Sequence, residues 1–166
     1  RQAGLRLGIQ IMPGLPGEDR ESFKATVDAV LELGPDTARV YPTIVLAGTA
    51  LEEQYHAGAY VPLTLEEALT RTLFAYVRLR DWGCSVLRMG LPPGDGLQVV
   101  AGPMHPCFGF LVQARGYYHM AAHLMKLLGP EATLLVHPQD VSALLGHRKE
   151  NQRELGFTYT TNPSVA

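Results

Sequence analysis

The side chains in this sequence whose type and spacing can do chemistry are a histidine pair, two cysteines, a basic cluster, and an arginine at the end of an apolar run. His119 and His123 stand i, i+4, a spacing that puts two imidazoles one helical turn apart, where they can chelate a metal. Met120 occupies the place of the glutamate in an HExxH motif and no third ligand accompanies the pair, so no metal is expected. Cys107 follows His105-Pro106, which allows a thiol activated by histidine or an inert cysteine, and the inert case is expected. Cys84 lies far from Cys107 in an unlike context, so the two give neither a disulfide framework nor a zinc or cluster motif, and a reducing cytoplasm fits. His147, Arg148, Lys149 and Arg153 form a basic patch after Gly146. Backbone donors at a helix start can draw phosphate, which makes His147, Arg148 and Lys149 candidates for nucleic-acid contact. Glu150 and Glu154 interleave with them, as on a solvated helix face. Arg88 sits where an active-site rim would be, and a substrate contact and a structural ion pair suit it equally.

These residues must be positioned by ordinary elements. Leu5 to Met12 reads as a buried strand stopped by Pro13-Gly14. The stretch "GIQIMPGLPGE", residues 8–18, lets backbone approach a ligand with no Cβ in the way, or is simply a tight strand-to-helix loop. Residues 19–33 place Phe23, Val27, Val30 and Leu31 on one helical face, and Gly34-Pro35 ends the helix. A second strand runs from Thr37 to Tyr41 or somewhat beyond. Thr49 with Glu52, and Thr64 with Glu67, have capping-box spacing before a short and a long helix. A third strand covers Ser85 to Met89. Strand, helix, strand, helices, strand with such connections is a parallel α/β unit. After Gly94 the character changes: "AGPMHPCFGF" reads as a turn-rich loop, residues 109–128 as a long amphipathic helix and "ATLLVHP" as a strand, followed by "QDVSALLG", "HRKENQREL" and a final strand "FTYTT".

Composition excludes several classes. At 46% hydrophobic and 18% charged residues the chain has ample material for a core and is not expected to be disordered. A net charge of −2 provides no global basic field for nucleic acid. No signal peptide and no apolar run of membrane-spanning length occurs, so a soluble, cytoplasmic protein is expected. The chain opens "RQAGLRLGIQ" without an initiator methionine and reaches a strand almost at once, which is read as a fragment of something longer.

The segments "IQIMPGLPGED" and "ELGPDTARVYPTIVLAGTALEEQYHAGAY" resemble the carboxyl half of a radical S-adenosylmethionine (radical SAM) barrel. The likeness is to proteins related to the catalytic subunit of Elongator and rests on Val40-Tyr41-Pro42-Thr43-Ile44-Val45, Gly48-Thr49, Gln54-Tyr55 and Gly58-Ala59-Tyr60 in order. "VVAGPMHPCFGFLV" and "VHPQDVSALLGHRKEN" resemble the tail of a bacterial branch that lacks the acetyltransferase domain. The resemblance implies an α/β fold: residues 1–93 as the carboxyl-terminal half of a partial (β/α)6 TIM-like barrel, and 94–166 as a small α/β extension. It implies S-adenosylmethionine as cofactor, with Gln10 and Met12 on one strand and Tyr41, Thr43 and Ile44 on the next contacting the adenosine. It also implies a 4Fe–4S cluster held by a CxxxCxxC loop in the missing amino-terminal half of the barrel, because thiolates supply its soft ligands. The parent would generate a 5′-deoxyadenosyl radical and act on RNA, with tRNA as the expected partner, while this chain alone would be inert. The alternative is a non-catalytic α/β module that binds nucleic acid or protein through the 146–153 patch.

Overall fold

A computed structural model of the chain describes residues 4–92, 94 and 96–165. The chain divides after Gly109 into two compact units. The first is built on strand β1 (Gly8–Ile11), helix α1 (Arg20–Glu32), strands β2 (Thr37–Val40) and β3 (Val45–Leu46), helices α2 (Ala50–His56) and α3 (Leu65–Asp81), and strands β4 (Ser85–Met89) and β5 (Val99–Ala101). Strands β1, β2 and β4 form a parallel sheet in the order β1-β2-β4, as the alternation of strands and helices predicts.

Amphipathic α1 and α3 cover one face of that sheet. Phe23, Val27, Val30 and Leu31 of α1 and Ala75 and Leu79 of α3 meet Ile11, Ala38, Val40 and Cys84 in one core. Each helix starts at a cap that satisfies backbone donors otherwise left free. Asp19 and Ser22 form a reciprocal box at α1, and Thr64 and Glu67 form the expected one at α3. These hydrogen bonds hold the Asp19 and Glu67 carboxyls below their ordinary pKa values. At α2 only half of the expected box forms. Thr49 accepts from the Glu52 N–H, but the Glu52 carboxylate reaches past it to the Gly48 N–H at 2.8 Å.

The second strand differs from its expected extension. It stops at Val40, and residues 45–46 belong to a separate antiparallel ribbon with β5, which ends at Ala101, the first residue of the stretch read as a turn-rich loop. Pro42 accounts for the break, since it has no N–H to continue a ladder.

The second unit comprises most of helix α4 (Phe108–Leu128), strand β6 (Thr133–Val136), helices α5 (Val141–Leu145) and α6 (Glu150–Leu155), and strand β7 (Thr158–Thr161). Strands β6 and β7 pair in parallel, and Ala121, Leu134, Val136, Leu144 and Phe157 form its core. The architecture is α/β with small parallel sheets; no closed barrel occurs among the described residues.

Candidate functional site

The face of the β1-β2-β4 sheet away from α1 and α3 is where polar side chains gather. Because side chains alternate along a strand, Ile11, Ala38 and Val40 turn to the helices while Gln10 and Arg39 turn away, and both are exposed. Gln10 is in register with Arg39, and Arg39 with Arg88, so the three form one row across the sheet. The Tyr41 N–H donates to the Ile11 carbonyl at 2.9 Å, which carries the β1–β2 pairing one residue past the strands. Met12 and Tyr41 therefore make the next row toward the carboxyl ends, with Met12 exposed and Tyr41 half-buried. Functional groups of parallel α/β proteins lie at these strand ends.

The Tyr41-Pro42-Thr43 segment ends the strand in a particular way. The Thr43 N–H donates to the Pro13 carbonyl at 2.9 Å, skipping the proline, so the two chains stay together beyond the ladder. Thr43 is buried, and its hydroxyl has no partner. Ile44 is half-buried beside Gly102, where an added Cβ would fall 3.2 Å from the Ile44 Cα and 3.3 Å from the Thr43 carbonyl oxygen. The ribbon of β3 and β5 thus closes over the backbone of these two residues.

A hydrogen-bonded latch fixes the loop after β1. The Gly14 N–H donates to Glu18 Oε1 at 2.8 Å, and Arg71 Nη1 of α3 meets the same oxygen at 2.7 Å. The Tyr60 hydroxyl donates to the Gly14 carbonyl at 2.6 Å. Tyr60 is 6% exposed, and burial, with the nearby Glu18 charge adding to it, raises its pKa. Gly14 has φ +90°, and a Cβ there would lie 2.8 Å from the Leu63 side chain, so both backbone and space demand glycine. The sequence singled out the glycine-rich loop and Tyr60 but not Glu18 or Arg71, whose meeting depends on a contact between residues 53 apart.

The remaining candidates lie elsewhere. His147, Arg148 and Lys149 are exposed and form a 3-10 turn before α6 instead of a helix face, with Arg148 at φ 50° and Lys149 at φ 61°. His119 and His123 are exposed on α4. His105 Nδ1 accepts from the backbone N–H of Cys107 at 3.1 Å, so that nitrogen serves a turn. Cys107 is exposed, whereas Cys84 is buried and its pKa is raised chiefly by that burial. Arg39 escaped the sequence reading altogether; a cation within an otherwise apolar strand was the available signal.

Comparison with known proteins gives this geometry a context. Residues 35–118, about half of the chain, match the radical SAM C-terminal domain, and the chain belongs to that family. It is similar to the tRNA uridine(34) acetyltransferase of Methanocaldococcus jannaschii, with 33% identity over 85 residues, covering 49% of this chain and 16% of that protein. The protein of the same name from Dehalococcoides mccartyi is 40% identical over 65 residues, covering 37% of this chain and 14% of that one. Protein YhcC of Escherichia coli is 30% identical over 67 residues, which is 40% of this chain and 22% of YhcC. The chain spans less than a quarter of each of these relatives.

The family implies S-adenosylmethionine and a 4Fe–4S cluster in the parent protein. The cluster does not fit the residues present: a chain with two cysteines, one buried and one exposed, cannot provide a three-thiolate loop, and no group of three or more metal-ligating side chains occurs among the described residues. No helix among the described residues is long and apolar enough to cross a membrane.

Proposed function

We propose that this chain is the carboxyl-terminal half of a partial (β/α)6 radical SAM barrel and supplies the adenosine side of the S-adenosylmethionine site in a tRNA-modifying parent. The observation that carries the reading is the sheet face away from α1 and α3, where Gln10, then Met12 and Tyr41, occupy consecutive rows at the carboxyl ends of neighbouring parallel strands. When bound, the cofactor supplies the radical chemistry of hydrogen abstraction, and the protein's share is placement. Tyr41 offers a flat aromatic wall to adenine, Met12 a flexible thioether opposite or beside it, and Gln10 an amide that can donate and accept. Thr43 and Ile44 contribute through the strand end: the buried, unpartnered Thr43 hydroxyl is a group for which a bound ligand would provide relief. The Glu18–Arg71–Tyr60 latch holds the loop that carries Met12 and Pro13 into this place. Transfer of tRNA as substrate rests on the names of the two acetyltransferases that this chain resembles.

The test is Tyr41→Ala in the full-length parent. An aromatic contact is worth about 0.5–1.5 kcal/mol beyond area burial, so affinity for S-adenosylmethionine should fall about two- to tenfold while the visible spectrum of the cluster stays unchanged. Normal cofactor binding by Tyr41→Ala, with loss of binding in a His147→Ala/Arg148→Ala double variant, would move the site from the strand ends to the basic turn.

A further inference from the structure

Arg39 and Arg88 are cross-strand neighbours on the sheet face away from α1 and α3, with Gln10 completing their row on β1. Both are exposed, and neither belongs to the ion pairs of the described residues, in which the cations are Lys24, His56, Arg71 and Arg78. Strands β1, β2 and β4 contain no aspartate or glutamate. Like charges side by side on a sheet oppose folding, yet here they are adjacent in a chain whose net charge is −2.

The pairing is also not what an even ladder would produce. Ser85 pairs with Thr37 and Val86 with Ala38, so an unbroken register would set Leu87 beside Arg39 and Arg88 beside Val40, on the helix-covered face. Instead the register shifts between Ala38 and Arg39, passes over Leu87, and brings Arg88 beside Arg39. An extra residue of this kind re-aims a side chain and is found next to active sites.

We propose that Arg39 and Arg88, with Gln10 as their neutral hydrogen-bonding neighbour, form a binding site for an oxyanionic group, a carboxylate or phosphate, on a ligand lying against this face. Guanidinium forks match such groups with paired hydrogen bonds and remain charged at any physiological pH. The row lies one side-chain step below Met12 and Tyr41 on the same face, so the oxyanion lies on the same sheet face as whatever Tyr41 flanks; that placement rests on the adenosine reading above. The oxyanion belongs either to the carboxylate of S-adenosylmethionine or to a phosphate of the nucleic-acid substrate, and the experiment separates the two.

In the full-length parent, Arg39→Gln, Arg88→Gln and their double variant are titrated with inorganic phosphate, S-adenosylmethionine and tRNA, and the ligand-free proteins are unfolded in urea. Each single variant should lose at least tenfold in affinity for phosphate and for one of the two larger ligands, with ligand-free stability unchanged or raised because a repulsion is relieved. Arg88→Lys should recover only part of the loss, since it restores the charge without the fork. Selective loss of S-adenosylmethionine assigns the cofactor carboxylate, and selective loss of tRNA assigns the substrate phosphate. Unchanged affinity for all three ligands in the double variant, or an affinity loss matched by an equal loss of ligand-free stability, overturns the site. Tyr41→Ala keeps the readings apart: if it weakens S-adenosylmethionine while the arginine double variant binds phosphate, S-adenosylmethionine and tRNA normally, the oxyanion site fails and the adenosine wall stands, and the converse pattern sinks the adenosine wall alone.

Discussion

Replacing Tyr60 by Phe removes one oxygen and leaves the ring, so it isolates the hydrogen bond that holds the loop after β1. The Tyr60 hydroxyl lies 2.6 Å from the Gly14 carbonyl, with both residues buried, and water cannot readily take its place. Leaving a buried carbonyl without its donor costs about 1–3 kcal/mol. At roughly 2–4 °C per kcal/mol for a chain of this size, Tm should fall by about 2–12 °C. Urea unfolding should show a lower midpoint at unchanged slope, because the ring remains packed and the area exposed on unfolding is the same. The pH dependence provides a second check. Burial raises the phenol pKa in the folded state, with Glu18 adding to it, so the contribution of Tyr60 is fully present below the unfolded pKa of about 10 and is lost as pH rises through the folded value. The stability gap between wild type and Tyr60→Phe should therefore be flat from about pH 6 to 9 and shrink above about pH 10. A variant as stable as wild type at neutral pH would refute the latch.

Two further outcomes are expected. Asn151 is buried in the second unit and its amide donates to the carbonyls of Ala114 at 2.9 Å, Leu144 at 3.1 Å and Ala143 at 3.4 Å, so Asn151→Ala should cost about 1–3 kcal/mol in urea unfolding. The isolated 166-residue chain, reconstituted with iron and sulfide, should develop no cluster absorbance and cleave no S-adenosylmethionine; a stoichiometric cluster would show that ligands other than a cysteine loop hold it.

The parallel strands β1, β2 and β4 were legible because each is a short segment with aliphatic residues bounded by glycine or proline, and the face of α1 could be read from its periodicity alone. The Thr64–Glu67 box was legible for the same local reason. At Thr49 the identical spacing failed by one residue, since Gly48 offered its own N–H to Glu52. What depends on register or on distant pairing could not be read. The β3–β5 ribbon joins two very short segments across half the first unit, and no local pattern marks it. The row of Gln10, Arg39 and Arg88 exists only because the ladder shifts at Leu87, and a one-residue slip would put Arg88 on the opposite face. The turn at His147–Lys149 was read as a helix start. There Gly146 has φ +77° and a Cβ would lie 2.7 Å from Asn151, so the buried Asn151 side chain fixes a turn in which Arg148 and Lys149 adopt left-handed conformations.

The composition of the two sheet faces bears on which α/β architecture this unit came from. In a doubly wound sheet, helices pack on both sides, and strands read as nearly continuous apolar runs because both faces are buried. Strands β1 and β2, Gly-Ile-Gln-Ile and Thr-Ala-Arg-Val, are apolar on the helix-covered face only. Helices seated on the other face would have to bury Gln10, Arg39 and Arg88, and two adjacent unpaired guanidinium groups under an apolar helix would carry a severe desolvation cost. A barrel places its inward face around a lumen, where a polar ligand can take up such groups. Under the proposed reading the sheet closes around a cofactor instead of taking a second helical layer, and β1 and β4, the outer strands of the order β1-β2-β4 among the described residues, are where further strands would pair. A structure of the full-length parent settles the point: strands added at those edges, with Gln10, Arg39 and Arg88 facing a lumen, are the expected result, and helices packed across that face would refute the barrel.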